Sequence, residues 1–177
     1  MRNLLYRNLF RRPLTERAPD RDEAALATLA ADVDHAARRR LGRSLAIRQV
    51  DAGSCNGCEL EINALGNPYY DLERFGIRFV ASPRHADVLL VTGPVTKNMA
   101  EALERTYNAT PNPKWVVALG DCALNGGCFA GSYAVVGGVS QVVPVDLHIP
   151  GCPPNPTRIL EGLLALLDHA GGNGAAA

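Results

Sequence analysis

The chain has 177 residues, of which 47% are hydrophobic, with 18 basic side chains balanced by 18 acidic ones, enough for one hydrophobic core and an appendage. Its longest apolar runs, such as Val88 to Val91, fall far short of the ~20 residues that span a bilayer. Arg2, Arg7, Arg11 and Arg12 interrupt any secretory signal, so the expectation is a cytoplasmic chain whose thiols stay reduced.

Charge is divided unevenly along the chain. Residues 1–44 hold ten Arg against six Asp or Glu, and the rest carry an acidic excess. A basic arm of this kind suits an anionic membrane surface or an acidic partner subunit. Nucleic acid is not expected, because neither a binding motif nor interleaved aromatics accompany the arginines. Within residues 1–12, Leu4, Leu5, Leu9 and Phe10 fall largely on one side of a helix with arginines around the rest, the pattern of a surface anchor; a frayed terminus is the alternative. Pro13 and Pro19 break this pattern. The alanine-rich run from Arg21 to Leu41 predicts a helix, with acids early and Arg38, Arg39 and Arg40 late as the helix dipole favours, and Gly42 ends it.

Beyond Gly42, short runs rich in Val, Ile and Leu predict five strands: Leu45 to Val50, Ile77 to Ala81, Asp87 to Val91, Trp115 to Leu119 and Val142 to Val145. Helices are expected at 59–74, 97–107 and 156–169. Strands alternating with helices predict an α/β fold, a doubly wound parallel five-stranded sheet of flavodoxin-like order with an N-terminal helical extension. The expected organisation is a basic helical arm at 1–44, the α/β domain at 45–170 and a disordered Gly/Ala tail at 171–177.

Four of the five cysteines lie at or just after the carboxyl end of a predicted strand. Cys55 and Cys58 follow the first, Cys122 the fourth and Cys152 the fifth, and in an open α/β sheet those loops converge on one edge. Cys55-Asn56-Gly57-Cys58 lets two thiolates reach one centre from a single turn, and Cys152-Pro153 resembles the Cys-Pro pairing of iron–sulfur loops. Four soft thiolates suit either an iron–sulfur cluster or zinc. Structural zinc sites generally use two knuckles, whereas Cys122 and Cys152 stand singly. Cys128 is expected as a small buried apolar residue. The paired glycines Gly126-Gly127 and Gly137-Gly138 lie in no phosphate-binding motif and are expected to permit close backbone approach.

The stretches GSCNGCELEI (53–62), YYDLERFGIRFVASPRHADVLLVTGPVT (69–96), ALGDCALNGGCF (118–129) and VPVDLHIPGCPPNP (143–156) resemble the small-subunit family shared by energy-converting [NiFe] hydrogenases and respiratory complex I. The resemblance covers most of the chain from Leu45 to Leu167. It implies one [4Fe–4S] cluster on Cys55, Cys58, Cys122 and Cys152, proximal to a large catalytic subunit. Complex I members carry adjacent cysteines where this chain has C-x-x-C, so the pattern is similar to the formate hydrogenlyase and membrane-bound hydrogenase branch. The implied role is electron transfer within an oxidoreductase complex, with no turnover by the chain alone. The implied partners are the large subunit, a ferredoxin-like iron–sulfur subunit and membrane-embedded subunits, at the cytoplasmic side of the inner membrane. A quinone-reducing complex I subunit and a zinc-stabilised interaction module are the alternatives. Glu59 is a candidate for relaying protons between subunits or a dipole-complementing acid. Arg84 and His85 are candidates for hydrogen-bonding the cluster sulfurs or for surface pairing with Asp87, and His148 is a further neighbour of the site.

Overall fold

The structure, a computed structural model, describes residues 23–169; the amphipathic segment expected at 1–12 and the tail at 171–177 lie outside them. Helix α1 (Glu23–Leu41) precedes β1 (Ala46–Asp51), α2 (Gly57–Ala64), β2 (Arg78–Phe79) and β3 (Val88–Thr92). There follow β4 (Val95–Thr96), α3 (Lys97–Ala109), β5 (Trp115–Leu119), α4 (Asp121–Asn125), β6 (Val135–Gly137), β7 (Leu147–Ile149) and α5 (Pro156–His169). The main sheet has five strands in the order β2-β1-β3-β5-β7, all parallel. This is the expected flavodoxin-like order. Strands β4 and β6 form a small antiparallel ribbon beside it.

Both faces of the sheet are covered, which explains why Val88 to Val91 are apolar without alternation. Val88 and Leu90 face one core with Ile47, Val117, Leu119 and Ile149, closed by Val33, Ala36 and Ala37 of α1, Ile62 of α2 and Ile159, Leu160 and Leu163 of α5. Leu89 and Val91 face the other with Val50, Val116 and Ala118, closed by Leu103 of α3, Ala123 of α4 and the loop residues Val139 and Val143. Polar contacts hold α1 as well: Arg39 pairs with Asp168 at 3.3 Å, and the Arg40 guanidinium lies 5.7 Å from the centre of the Trp115 ring. Among the described residues no helix is long and apolar enough to cross a membrane.

Two expected elements differ. No strand forms at Val142 to Val145; β7 begins at Leu147 instead. Pro144 has no N–H to give a ladder, so this run serves the core, with Val143 buried. Asp146 then joins β5, its N–H donating to the Val116 carbonyl at 2.9 Å and its Oδ2 accepting the Val116 N–H at 2.7 Å. The helix expected at 59–74 stops at Ala64, and only a 3-10 turn, Leu72–Phe75, follows. Asn67 Oδ1 accepts the N–H groups of Tyr69 and Tyr70 at 2.9 and 3.0 Å, a side-chain turn that competes with helix hydrogen bonding. At the amino edge of the sheet, Asp87 is buried. It accepts the Ala46 N–H at 3.0 Å and pairs with Arg43 at 2.6 Å, so Arg43 holds the position considered for Arg84 or His85.

Candidate functional site

The carboxyl edge of the sheet is shaped by three loops, each fixed by its own hydrogen bonds. After β1, Asp51 Oδ1 accepts the N–H groups of Gly53 and Ser54, both at 2.8 Å. Ser54 Oγ accepts the Asn56 N–H at 3.0 Å. These bonds turn the chain so that Cys55 precedes α2 and Cys58 lies in its first turn. The loops after β5 and β7 are bound to each other. Gly120 N–H donates to the Ile149 carbonyl at 2.8 Å and Asp121 N–H to the Gly151 carbonyl at 2.9 Å. Asp121 Oδ1 accepts the Gly151 N–H at 2.9 Å, and His148 Nε2–H donates to the Gly120 carbonyl at 3.1 Å. Cys122 and Cys152 are thereby held in register.

Together these loops bring Cys55, Cys58, Cys122 and Cys152 to the wall of one cavity of about 70 Å³, completed by Ser54, Gly57, Gly93, Asp121, Gly151 and Pro153. Cys58 is its buried floor, Cys122 is half-buried, and Cys55 and Cys152 are exposed at the mouth. Two glycines leave room for the sulfurs. A Cβ on Gly120 would stand 2.9 Å from Cys58 Sγ, and one on Gly127 would stand 2.6 Å from Cys122 Sγ. Burial pushes the Cys58 thiol up to about 12, with the Glu59 carboxylate next in effect and then the other three cysteines. The Cys122 thiol is raised as well, first by burial and then by Cys128. A cation in the cavity would therefore have to displace protons to take thiolates. Among the described residues no three His, Cys, Asp or Glu side chains are grouped to hold one metal ion.

Glu59 is 7% exposed. Its Oε2 accepts the Ser54 hydroxyl, while Oε1 is buried with no hydrogen-bond partner among the described residues. Arg84 and His85 are exposed, in the 3-10 turn Pro83–His85 that leads into β3, and neither lines the cavity. Cys128 corrects the expectation of a buried apolar residue. It is exposed and close enough to Cys122 to help raise that thiol. It lies in a turn, Gly127–Phe129, that passes over Cys122, and surface-directed turns expose what strands and helices would bury. The roles of Asp51, Asp121 and Gly120 carry no motif in the sequence; only the Asp/Gly texture of the strand ends hints at them. Large apolar side chains flank the cysteine loops, with Leu60 61%, Leu124 49%, Phe129 40% and Tyr133 90% exposed.

Residues 55–166 match the family model described as NADH ubiquinone oxidoreductase, 20 Kd subunit. A Pyrococcus furiosus protein named as a probable membrane-bound hydrogenase subunit is 48% identical over 128 residues, covering 72% of this chain and 77% of that protein. Formate hydrogenlyase subunit 7 of Escherichia coli is 47% identical over 142 residues, covering 77% of this chain and 56% of that protein. Among solved structures, a chain of the membrane-bound sulfane sulfur reductase, an archaeal respiratory membrane complex, matches with TM-score 0.66 and 35% identity over 82% of this chain and 79% of its own. By its family match and its relatives alike, the chain belongs to the 20 kDa subunit family of NADH ubiquinone oxidoreductase, and it is a subunit of an oxidoreductase complex.

Proposed function

We propose that the chain is the electron-transfer subunit of a membrane-bound [NiFe] hydrogenase or formate hydrogenlyase-type complex, holding one [4Fe–4S] cluster on Cys55, Cys58, Cys122 and Cys152 beside a large catalytic subunit. The observation that carries this reading is the gathering of four thiols from three separate loops around one cavity. Their chemistry and spread both fit. Structural zinc sites generally take their ligands in paired knuckles, whereas Cys122 and Cys152 come singly from separate loops, and a cluster gives each thiolate its own iron. When bound, the cluster supplies reversible one-electron transfer.

The protein's own residues contribute position and environment. Asp51 and Asp121 fix the loops that carry Cys55, Cys122 and Cys152, and Gly120 keeps space for Cys58 Sγ. Leu60, Leu124, Phe129 and Tyr133 offer an apolar rim to the large subunit, since exposed patches of this kind mark interfaces. Glu59, with one oxygen still lacking a donor, receives a hydrogen bond or a proton from the partner's side. The chain acts as a peripheral subunit on the cytoplasmic side of the membrane, with a ferredoxin-like iron–sulfur subunit and membrane-embedded subunits as further partners.

Anaerobic reconstitution followed by iron and sulfide analysis and electron paramagnetic resonance tests the cluster. Four irons and four sulfides are expected, lost on replacing any of the four cysteines with Ala and retained in Cys128→Ala. Stoichiometric zinc in place of iron would overturn the reading. Nickel in the co-purified large subunit separates the hydrogenase role from a quinone-reducing one, the second reading that the family match itself favours.

A further inference from the structure

One edge of the main sheet is open among the described residues. Strand β2 ends the order β2-β1-β3-β5-β7, with β1 as its single neighbour. The Arg78 and Val80 N–H groups donate to the Leu45 and Ile47 carbonyls at 3.0 and 2.8 Å. The backbone of Phe79, between them, therefore points away from β1, and its N–H and C=O have no hydrogen-bond partner among the described residues. The Phe79 side chain is exposed as well.

The same edge is positively charged. From Ile77 to Ala86 the chain holds Arg78, Arg84 and His85 and no acid, and all three are exposed. Of the acids that flank this run, Asp71 pairs with Arg74 and Asp87 with Arg43, which leaves Glu73 as the one without an ion pair among the described residues. Arg48 adds to the charge from one strand further in. It pairs in register with Leu89 and Arg78 pairs with Ala46, so the two arginines share the sheet face that α3 covers, and the turn carrying Arg84 packs against α3. The Arg48 Nε is buried with no hydrogen-bond partner among the described residues, and a charge so placed is screened less than a solvated one. Short charged edge strands also guard a fold against unwanted pairing. That accounts for Arg78, but not for an exposed Phe79 or for an arginine nitrogen that has given up water without gaining an acceptor.

We propose that the β2 edge receives an extended, acidic segment of a partner subunit, which adds a strand beside Phe79 and sets its carboxylates against Arg78 and Arg84. Strand addition supplies the missing donor and acceptor to the Phe79 backbone, and opposite charge fixes which segment is accepted. A second copy of this chain does not fit, because two such edges would bring Arg78 and Arg84 against their own copies. Lipid phosphates would answer the arginines but give no donor to the Phe79 carbonyl. The surface is separate from the cysteine cavity, which neither Arg84 nor His85 lines, so the proposal stands apart from the cluster reading.

Cross-linking within the native complex tests it. The complex is purified through this chain carrying Phe79→p-benzoylphenylalanine and irradiated, and the captured peptide is sequenced by mass spectrometry. An acid-rich segment of another subunit is expected, with a yield several-fold lower when Arg78→Glu and Arg84→Glu are added. Capture of nothing, of this chain itself, of lipid or of a segment without excess acid would overturn the proposal, as would a yield that charge reversal leaves unchanged. Retention of the captured subunit is then compared in Phe79→Ala and Phe79→Pro. Both lose the ring, but only the Pro variant loses the outward N–H, and the β1 ladder uses the N–H groups of Arg78 and Val80 instead, a position where an edge strand tolerates proline. Retention is expected to fall several-fold further in the Pro variant, with thermal unfolding by circular dichroism unchanged between the two. Equal retention in both would refute strand addition.

Discussion

Gly120 offers the sharpest test of how the backbone makes room for the cysteines. Its φ is +87 with ψ 163, an extended region essentially open to glycine alone that costs another residue about 1–3 kcal/mol. In Gly120→Ala the new methyl also meets Cys58 Sγ at 2.9 Å and the Gly151 carbonyl oxygen at 3.2 Å. Neither neighbour can yield cheaply. Cys58 is buried at the start of α2, and the Gly151 carbonyl accepts the Asp121 N–H. Overpacking of this kind adds roughly 1–3 kcal/mol. Gly131 supplies the control: its φ is +80, and a Cβ there would meet nothing within 4 Å, so Gly131→Ala carries the backbone cost alone. Urea unfolding followed by circular dichroism should place Gly120→Ala below Gly131→Ala by at least that extra ~1–3 kcal/mol. Iron uptake should fall in the first variant and persist in the second. Equal unfolding midpoints with full iron content in both would refute the claim that Gly120 is kept small for the Cys58 sulfur.

Three other outcomes are expected. Asp87→Ala strands the buried Ala46 N–H and frees Arg43, which should cost about 1–3 kcal/mol in denaturant unfolding while leaving iron uptake intact; a change below about 0.5 kcal/mol, the size of an ordinary surface substitution, would contradict this. Leu60→Asp combined with Leu124→Asp changes two exposed side chains, so stability should stay within about 0.5 kcal/mol of wild type while co-purification of the large subunit drops at least several-fold. Unchanged co-purification would move the docking surface elsewhere. Deleting residues 2–12, which hold the Leu4, Leu5, Leu9 and Phe10 pattern, should leave cluster assembly intact but release the subunit from its membrane partners. The loss should grow with salt, because exposed charges are screened over about 8–10 Å; salt-independent retention equal to the full-length chain would show that this segment attaches nothing.

Much of the architecture was legible because it depends on local composition. Short apolar runs such as Val88 to Val91 and Trp115 to Leu119 alternate with helical stretches, and that alternation points to the parallel, doubly wound sheet. The C-x-x-C and the Cys-Pro step identified three of the four cavity cysteines from adjacent residues, and Cys122 joined them by its place after a strand. Where the local signal was shared between outcomes, the reading slipped. Val142 to Val145 has the composition of a strand, but the missing N–H of Pro144 and the pairing of Asp146 with Val116 decide that the strand starts later.

What surrounds the cysteines belongs to the tertiary structure, because it consists of contacts between residues distant in the chain. Asp121 and Gly151 exchange hydrogen bonds across two loops, and Gly120 matters through Cys58, which lies on another element. The buried, half-partnered state of Glu59 exists only once α2 has packed beside the Ser54 loop. Arg84 and His85, close to a strand in sequence, lie on the turn before β3, whereas the cysteines follow the carboxyl ends of strands. Sequence proximity to a strand does not say which end of the sheet a side chain reaches; the direction of the parallel strands does. Composition determined which residues form the layers, and the packing of those layers decided which side chains meet at their edge, since a hydrogen bond between loops has no signature in either loop alone.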